Sequence, residues 1–219
     1  MTVKTIILAA GQGTRMRSVL PKVLHKVANR SLLEHVYDTS KQIDDNEIII
    51  VYGHGGELVK ETLSELEAKW VEQKEQLGTG HAVLQVDNLI GNEDTILILY
   101  GDVPLLSKRS IDSLLAKVTA QSMALLTVVL ENPVGYGRIV RDAANKVLKI
   151  VEQKDATEQE QLIDEVNTGI LAVKGEQLKS WISRLDNSNA QQEFYLTDVI
   201  EMAVNDGIDV KTSQPESVD

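Results

Sequence analysis

Not one cysteine occurs in the 219 residues, which excludes disulfides, zinc–thiolate sites and cysteine nucleophiles together. No membrane span is legible either. The apolar run Val3–Ala10 is strand-length, leads into a glycine-rich turn and carries no convincing cleavage site, so a cytoplasmic protein without membrane attachment is expected. Positive charge is scarce: 22 basic residues face 33 acidic ones, for a net charge of −11. A general nucleic-acid or anionic-membrane surface is thereby disfavoured, since neither would be attracted electrostatically. Repeats, low-complexity tracts and Pro/Gly/Ser linkers are also missing. One continuous domain over residues 1–219 is expected, large enough to bury a core without staples.

What is present is an alternation of apolar runs and amphipathic stretches. Val3–Ala10 reads as a buried strand, and Ser31-Leu-Leu-Glu34 as a capping box opening a helix to about Gln42. Glu47–Tyr52 is the next strand, followed by a charged helix running to about Lys69, a short strand Trp70–Gln73, and a helix after Gln76–Gly80. Thr95–Tyr100 is apolar on both faces, as a central parallel strand should be, and Ile111, Leu114, Leu115 and Val118 follow at helical spacing. This order predicts an α/β fold with a mostly parallel sheet. Met123–Leu130, Gly137–Arg141 and Val147–Glu152 read as strands without long helices between them, hence a small antiparallel lobe in the second half. Helices are expected again at Gly175–Leu185 and Ala190–Asn205, with a final strand from Asp209.

The first 30 residues gather Lys4, Arg15, Arg17, Lys22, Lys26 and Arg30 without one acid. Within them Leu8-Ala-Ala-Gly11-Gln-Gly13-Thr-Arg15-Met16 follows a strand directly, where glycines let backbone N–H groups turn toward an anion. A dinucleotide fingerprint would need a small residue in place of Met16, and a Walker loop would need Gly-Lys-Ser/Thr; neither is met. Two cations beside such a turn, Arg15 and Lys22, suit a triphosphate from which pyrophosphate departs. The bland reading is a tight turn beside solvated cations.

Leu-Ala-Ala-Gly-x-Gly-Thr-Arg-Met followed by Leu20-Pro-Lys22 is similar to the signature of sugar-1-phosphate nucleotidylyltransferases. Gly53–Gly56, Glu75–His81, Tyr100-Gly-Asp102, Gly135–Arg138, Val151–Ala156 and Val166–Gly169 stand in the order seen in the bacterial N-acetylglucosamine-1-phosphate uridyltransferases, so the resemblance covers essentially the whole chain. It implies a Rossmann-like nucleotide-diphospho-sugar transferase fold and transfer of UMP from UTP to N-acetylglucosamine-1-phosphate, giving UDP-N-acetylglucosamine and pyrophosphate. It implies that Arg15, Lys22 and Asp102 are catalytic, with Asp102 holding Mg²⁺. It implies that Leu8, Ala9, Ala10, Gly11, Gln73, Gly78 and Thr79 bind the nucleotide, and that Gly137, Glu152 and Asn167 hold the sugar, with Tyr100 and Gly101 lining the same cleft. Without the resemblance, Asp102 reads equally well as a loop cap, Gln73 as a polar strand end and Tyr100 as a core tyrosine. His25, His35, His54 and His81 are read as structural or peripheral, because the attacking phosphate is already ionised. Glu193 and Tyr195 are placed on the helix bordering the sugar site.

The sequence departs from the family at Gln12, where Lys is frequent, at Gln192, and at Asn29, which tolerates the left-handed turn of the Gly it replaces. The family's second metal ligand, an asparagine, and its left-handed β-helix, which acetylates glucosamine-1-phosphate and drives trimerisation, are expected beyond Asp219. Two alternatives stay open: a nucleotidylyltransferase for another sugar or base, and a catalytically silent nucleotide-sugar binding module.

Overall fold

In the computed structural model, which describes residues 2–11, 18, 20–53 and 55–215, Val3–Ala9 forms the central strand β1. A two-stranded ribbon, β2 (Lys26–Val27) and β3 (Arg30–Ser31), turns through Ala28 and Asn29, both at positive φ, as expected for Asn29. Helix α1 (Leu32–Lys41) then starts on the expected capping box, with the Ser31 side chain and Glu34 bonding each other's backbone N–H. The chain continues through β4 (Asn46–Tyr52), α2 (Gly56–Thr62), β5 (Lys69–Glu72), α3 (Thr79–Leu84), β6 (Thr95–Tyr100) and α4 (Lys108–Leu115). The second half contributes β7 (Ser122–Val129), β8 (Arg138–Arg141), β9 (Val147–Val151), β10 (Glu165–Lys174), α5 (Gly175–Ile182), α6 (Asp198–Asn205) and β11 (Asp209–Ser213).

The main sheet runs β11-β7-β10-β6-β1-β4-β5. Strand β1 pairs in parallel with both β4 and β6, so Ile7 faces Ile50 on one side and Leu99 on the other. Both faces of this strand are covered, which is why its sequence is an unbroken apolar run. Ile6 and Leu8 join the core beneath α3, α5 and α6, whereas Ile7 and Ala9 join the core beneath α1, α2 and α4. A fully buried isoleucine contributes about 2–3 kcal/mol, and β1 alone buries two.

Strand β10 breaks the parallel order. It runs antiparallel to β6 and β7, and its register on β7 shifts between Asn167 and Leu171. The β8–β9 hairpin hangs from the first half of β10 through Val166 and Arg138, and is the expected antiparallel lobe. Arg141 clamps this junction: it donates to both carboxylate oxygens of Glu165 at 2.7 Å and to Thr212 of β11 at 3.1 Å.

Three expectations need correction. The helix expected to reach Lys69 ends at Thr62, because Leu63 leaves helical geometry at φ −116° and the Tyr37 hydroxyl takes up the Glu67 N–H at 3.0 Å. The helix expected from Ala190 begins only at Asp198, because Phe194 and Leu196 spend backbone bonds on the Leu77–Gly80 loop and the N–H groups of Gln191 and Glu193 go to the Asn189 side chain. Strand β10 was not anticipated, although Ile170-Leu-Ala-Val173 is a buried run of strand length.

Candidate functional site

Because β1, β4, β5 and β6 run parallel, their carboxyl ends share one edge of the sheet, the edge at which open α/β sheets bind ligands. Leu8, Ala9 and Ala10 reach that edge buried, and Gly11 emerges from it exposed. Gly101 is tied back to this loop, donating its N–H to Leu8 O at 2.9 Å. A Cβ on Gly53 would lie 2.7 Å from Ala10 O and 2.9 Å from the Gln76 side-chain nitrogen, so the loops after β1, β4 and β5 meet here.

Asp102 sits just past β6, and its carboxylate is ion-paired with the Lys22 ammonium. The 3₁₀ turn Lys22–Leu24 delivers that lysine, held down by buried Val23 and Leu24. Lys22 and Asp102, far apart in sequence, are thus brought together. Arg15 and Gln12 lie outside the described residues, as does His54.

On one side of this pair stands Gln73, 2% exposed, whose amide nitrogen donates to Gly78 O at 3.0 Å. Gly78 adopts φ +111°, and a Cβ there would meet Phe194 O at 2.5 Å. The loop is fixed from outside: Phe194 N–H bonds Leu77 O, Gly80 N–H bonds Phe194 O, and Leu196 N–H bonds the Thr79 hydroxyl at 3.1 Å. These bonds are why residues 193–196 are not helical, and they place Glu193 and Tyr195 on an extended segment rather than on α6.

On the other side lies the second cluster. Asn167 donates its N–H to Gly137 O at 2.9 Å, while its side-chain oxygen accepts from Gly169 N–H at 2.9 Å. Gly137 faces Glu152, whose carboxylate oxygens would stand 3.4 Å from a Cβ at that position. Thr197, at the start of α6, donates its hydroxyl to Glu152 at 3.0 Å. Thr197 was missed by the sequence reading; its signal was its place in Tyr195-Leu-Thr-Asp198, immediately before a helix.

Tyr100 joins the two sides. Its ring packs against Gly169, its phenol bonds the Thr79 side chain, and burial together with Glu152 and Asp102 drives the phenol's pKa well up. Burial also raises the Glu152 carboxyl, with Asp155 and Glu193 adding to it and the Thr197 bond opposing. Asp198 is pushed up to about 6 by burial and by Asp186, Glu152, Glu201 and Asp155. Carboxyls therefore crowd around Glu152 and Asp198.

His35 donates from Nε2 to Val27 O at 2.9 Å, whereas His81 contacts Gln73 directly. Among the described residues no group of three histidine, aspartate or glutamate side chains is gathered to hold a metal, and no helix is long and apolar enough to cross a membrane. A hard cation that borrows phosphate oxygens needs only one or two carboxylates, which Asp102 satisfies.

The chain matches the MobA-like NTP transferase domain over residues 5–165. It is 54% identical over all 219 residues to the bifunctional protein GlmU of Methylococcus capsulatus, and spans 48% of that relative's length, about half. Its fold superposes on a UDP-glucose pyrophosphorylase complexed with UDP-glucose at a TM-score of 0.77 and 19% identity, covering 99% of this chain and 92% of that one. A similar fold is found in the inositol-1-phosphate CTP transferase of T. maritima, with a TM-score of 0.72 and 21% identity over 96% and 84% of the two chains. By its family match over most of its length the chain belongs to the MobA-like NTP transferases.

Proposed function

We propose that this chain is the uridyltransferase part of a GlmU-type enzyme, joining UTP to N-acetylglucosamine-1-phosphate to give UDP-N-acetylglucosamine and pyrophosphate. The observation that carries the reading is the strand order β10-β6-β1-β4-β5, which puts the Lys22–Asp102 pair after β1 and β6, Gln73, Gly78 and Thr79 after β5, and Asn167 with Gly137 and Glu152 at β10. The 54% identity to GlmU supports the choice of base and sugar.

In this reading an oxygen of the sugar phosphate attacks the α-phosphorus of UTP in line. The bond from that phosphorus to the oxygen bridging to the β-phosphate breaks, and pyrophosphate leaves with the electron pair. No covalent nucleophile is required, so catalysis rests on positioning and charge neutralisation. The first loop and Gln73 seat the nucleotide; Gly137, Glu152 and Asn167 seat the sugar. Lys22 exchanges its bond to Asp102 for one to phosphate, and Arg15 is assigned to the same phosphates. Asp102 would hold Mg²⁺, which supplies neutralisation of the phosphate charge when bound.

The test is pyrophosphate release from UTP and N-acetylglucosamine-1-phosphate with Mg²⁺, comparing the chain with its Asp102→Asn and Lys22→Met variants. Turnover lost by about 100-fold or more in either variant, with thermal stability kept, is expected. Variants as active as the parent would remove the central pair from the chemistry.

A further inference from the structure

The buried amide of Gln73 is held in one orientation. Its nitrogen contacts two groups at once, Gly78 O at 3.0 Å and Nδ1 of His81 at 3.0 Å. Gly78 O accepts only, so the atom facing it is the NH₂, and both amide protons are then committed to the protein. His81 Nδ1 must accept, which makes the ring neutral with its proton on Nε2. Gln85 lies 3.1 Å from Nε2 through its own amide nitrogen. A neutral imidazole has one acceptor nitrogen, so Gln73 and Gln85 cannot both donate to it. Gln73 is 2% exposed and doubly bonded, whereas Gln85 is a half-buried i+4 neighbour also bonded to His81 O at 3.0 Å. The acceptor therefore belongs to Gln73. The ring itself is fixed by Phe194, whose centroid is 6.2 Å away at a tilt of 33°.

The consequence is chemical. With both protons committed to Gly78 O and His81 Nδ1, Gln73 has only its carbonyl oxygen left to offer a base. A uracil edge offers an N3–H donor there, whereas cytosine offers the bare N3 lone pair and meets repulsion. We infer that His81 is a specificity-determining positioning residue: by accepting from Gln73 it locks that amide oxygen-outward and selects a pyrimidine base carrying N3–H over cytosine. This rests on the reading of Gln73 as the base-reading residue. The selection is local, since a similar fold belongs to a CTP transferase.

The experiment is titration calorimetry of the whole chain with UTP and with CTP, each with Mg²⁺, which does not require turnover. Variants are His81→Leu, His81→Phe (a flat ring without an acceptor that still packs on Phe194), His81→Asn (an acceptor where Nδ1 stood) and Gln73→Leu. The parent is expected to favour UTP. His81→Leu and His81→Phe should lower the UTP-over-CTP ratio about tenfold with melting temperature little changed, and His81→Asn should restore most of it. An unchanged ratio in His81→Phe, while Gln73→Leu abolishes it, overturns the role of His81 and leaves the proposed function standing. A parent that does not distinguish the two nucleotides, with Gln73→Leu no different, overturns the base-reading assignment itself.

Discussion

Gly169 and Tyr100 are packed so closely that a Cβ on the glycine would lie 2.9 Å from Cζ of the ring, and closer still to Cε2. Gly169 also adopts φ +85°, which an L side chain rarely tolerates. The bulge in β10 thus seats Tyr100 beneath the cleft and turns Asn167 toward Gly137. Gly169→Ala is expected to destabilise the fold by about 2 kcal/mol or more, from φ strain and displacement of the ring together. Chemical denaturation checks this, and sugar-phosphate binding should weaken with it.

Thr197 donates its hydroxyl to Glu152 at 3.0 Å in a partly buried setting. Thr197→Val keeps the shape and removes the donor, leaving the carboxylate poorer by a bond of about 1 kcal/mol. The KM for the sugar phosphate should rise about fivefold while that for UTP stays, as steady-state kinetics with each substrate varied in turn would show.

Asp198 carries a pH signature. Its carboxyl is raised from 3.8 to about 6, so ionising it costs the folded state free energy that the unfolded chain does not incur. Native stability from this group is fully present below about pH 3.8 and lost as the pH rises through about 6. After discounting for partial solvent screening, Asp198→Asn should gain about 1–2 kcal/mol at pH 8. The gain should fade as the pH is lowered through 6 toward 4. Urea unfolding of both proteins across that range measures it.

Much of this was legible in the sequence. Glycine-rich turns, the capping box and the apolar runs of β1, β4 and β6 carry local signals, so the parallel half of the fold followed from them. Lys22 with Asp102, and Gly137 with Glu152 and Asn167, were named from the family pattern and lie together in the fold. What escaped depends on tertiary bonds: the segment before α6 reads as helix until Leu77, Thr79 and Gly80 claim its backbone. Strand β10 escaped because Asn-Thr-Gly interrupts its pattern at the very bulge that shapes the site.

The Arg141–Glu165 pair links β8, β10 and β11, with side chains only 21% and 15% exposed. Removing the cation leaves a largely buried carboxylate that keeps its bond from the Thr127 hydroxyl at 2.7 Å. Arg141→Met should cost about 2–3 kcal/mol. The Glu165 carboxyl is held below its usual value by Arg141, so the parent's advantage is present above the unfolded carboxyl's pKa and lost as the pH falls through the folded one. Parallel thermal melts at pH 7 and pH 3 check both statements.

The central claim is that the Gln73 end and the Glu152 end grip a single nucleotide sugar across Lys22 and Asp102. Calorimetric titration of the chain with UDP-N-acetylglucosamine and with UDP-glucose tests it most directly, using Gln73→Leu, Glu152→Gln and the double variant. The N-acetylated ligand should bind more tightly, each variant should weaken it by about tenfold, and only Gln73→Leu should weaken UDP alone. A Glu152→Gln variant that binds UDP-N-acetylglucosamine as the parent does, or a parent that binds neither nucleotide sugar, would contradict it.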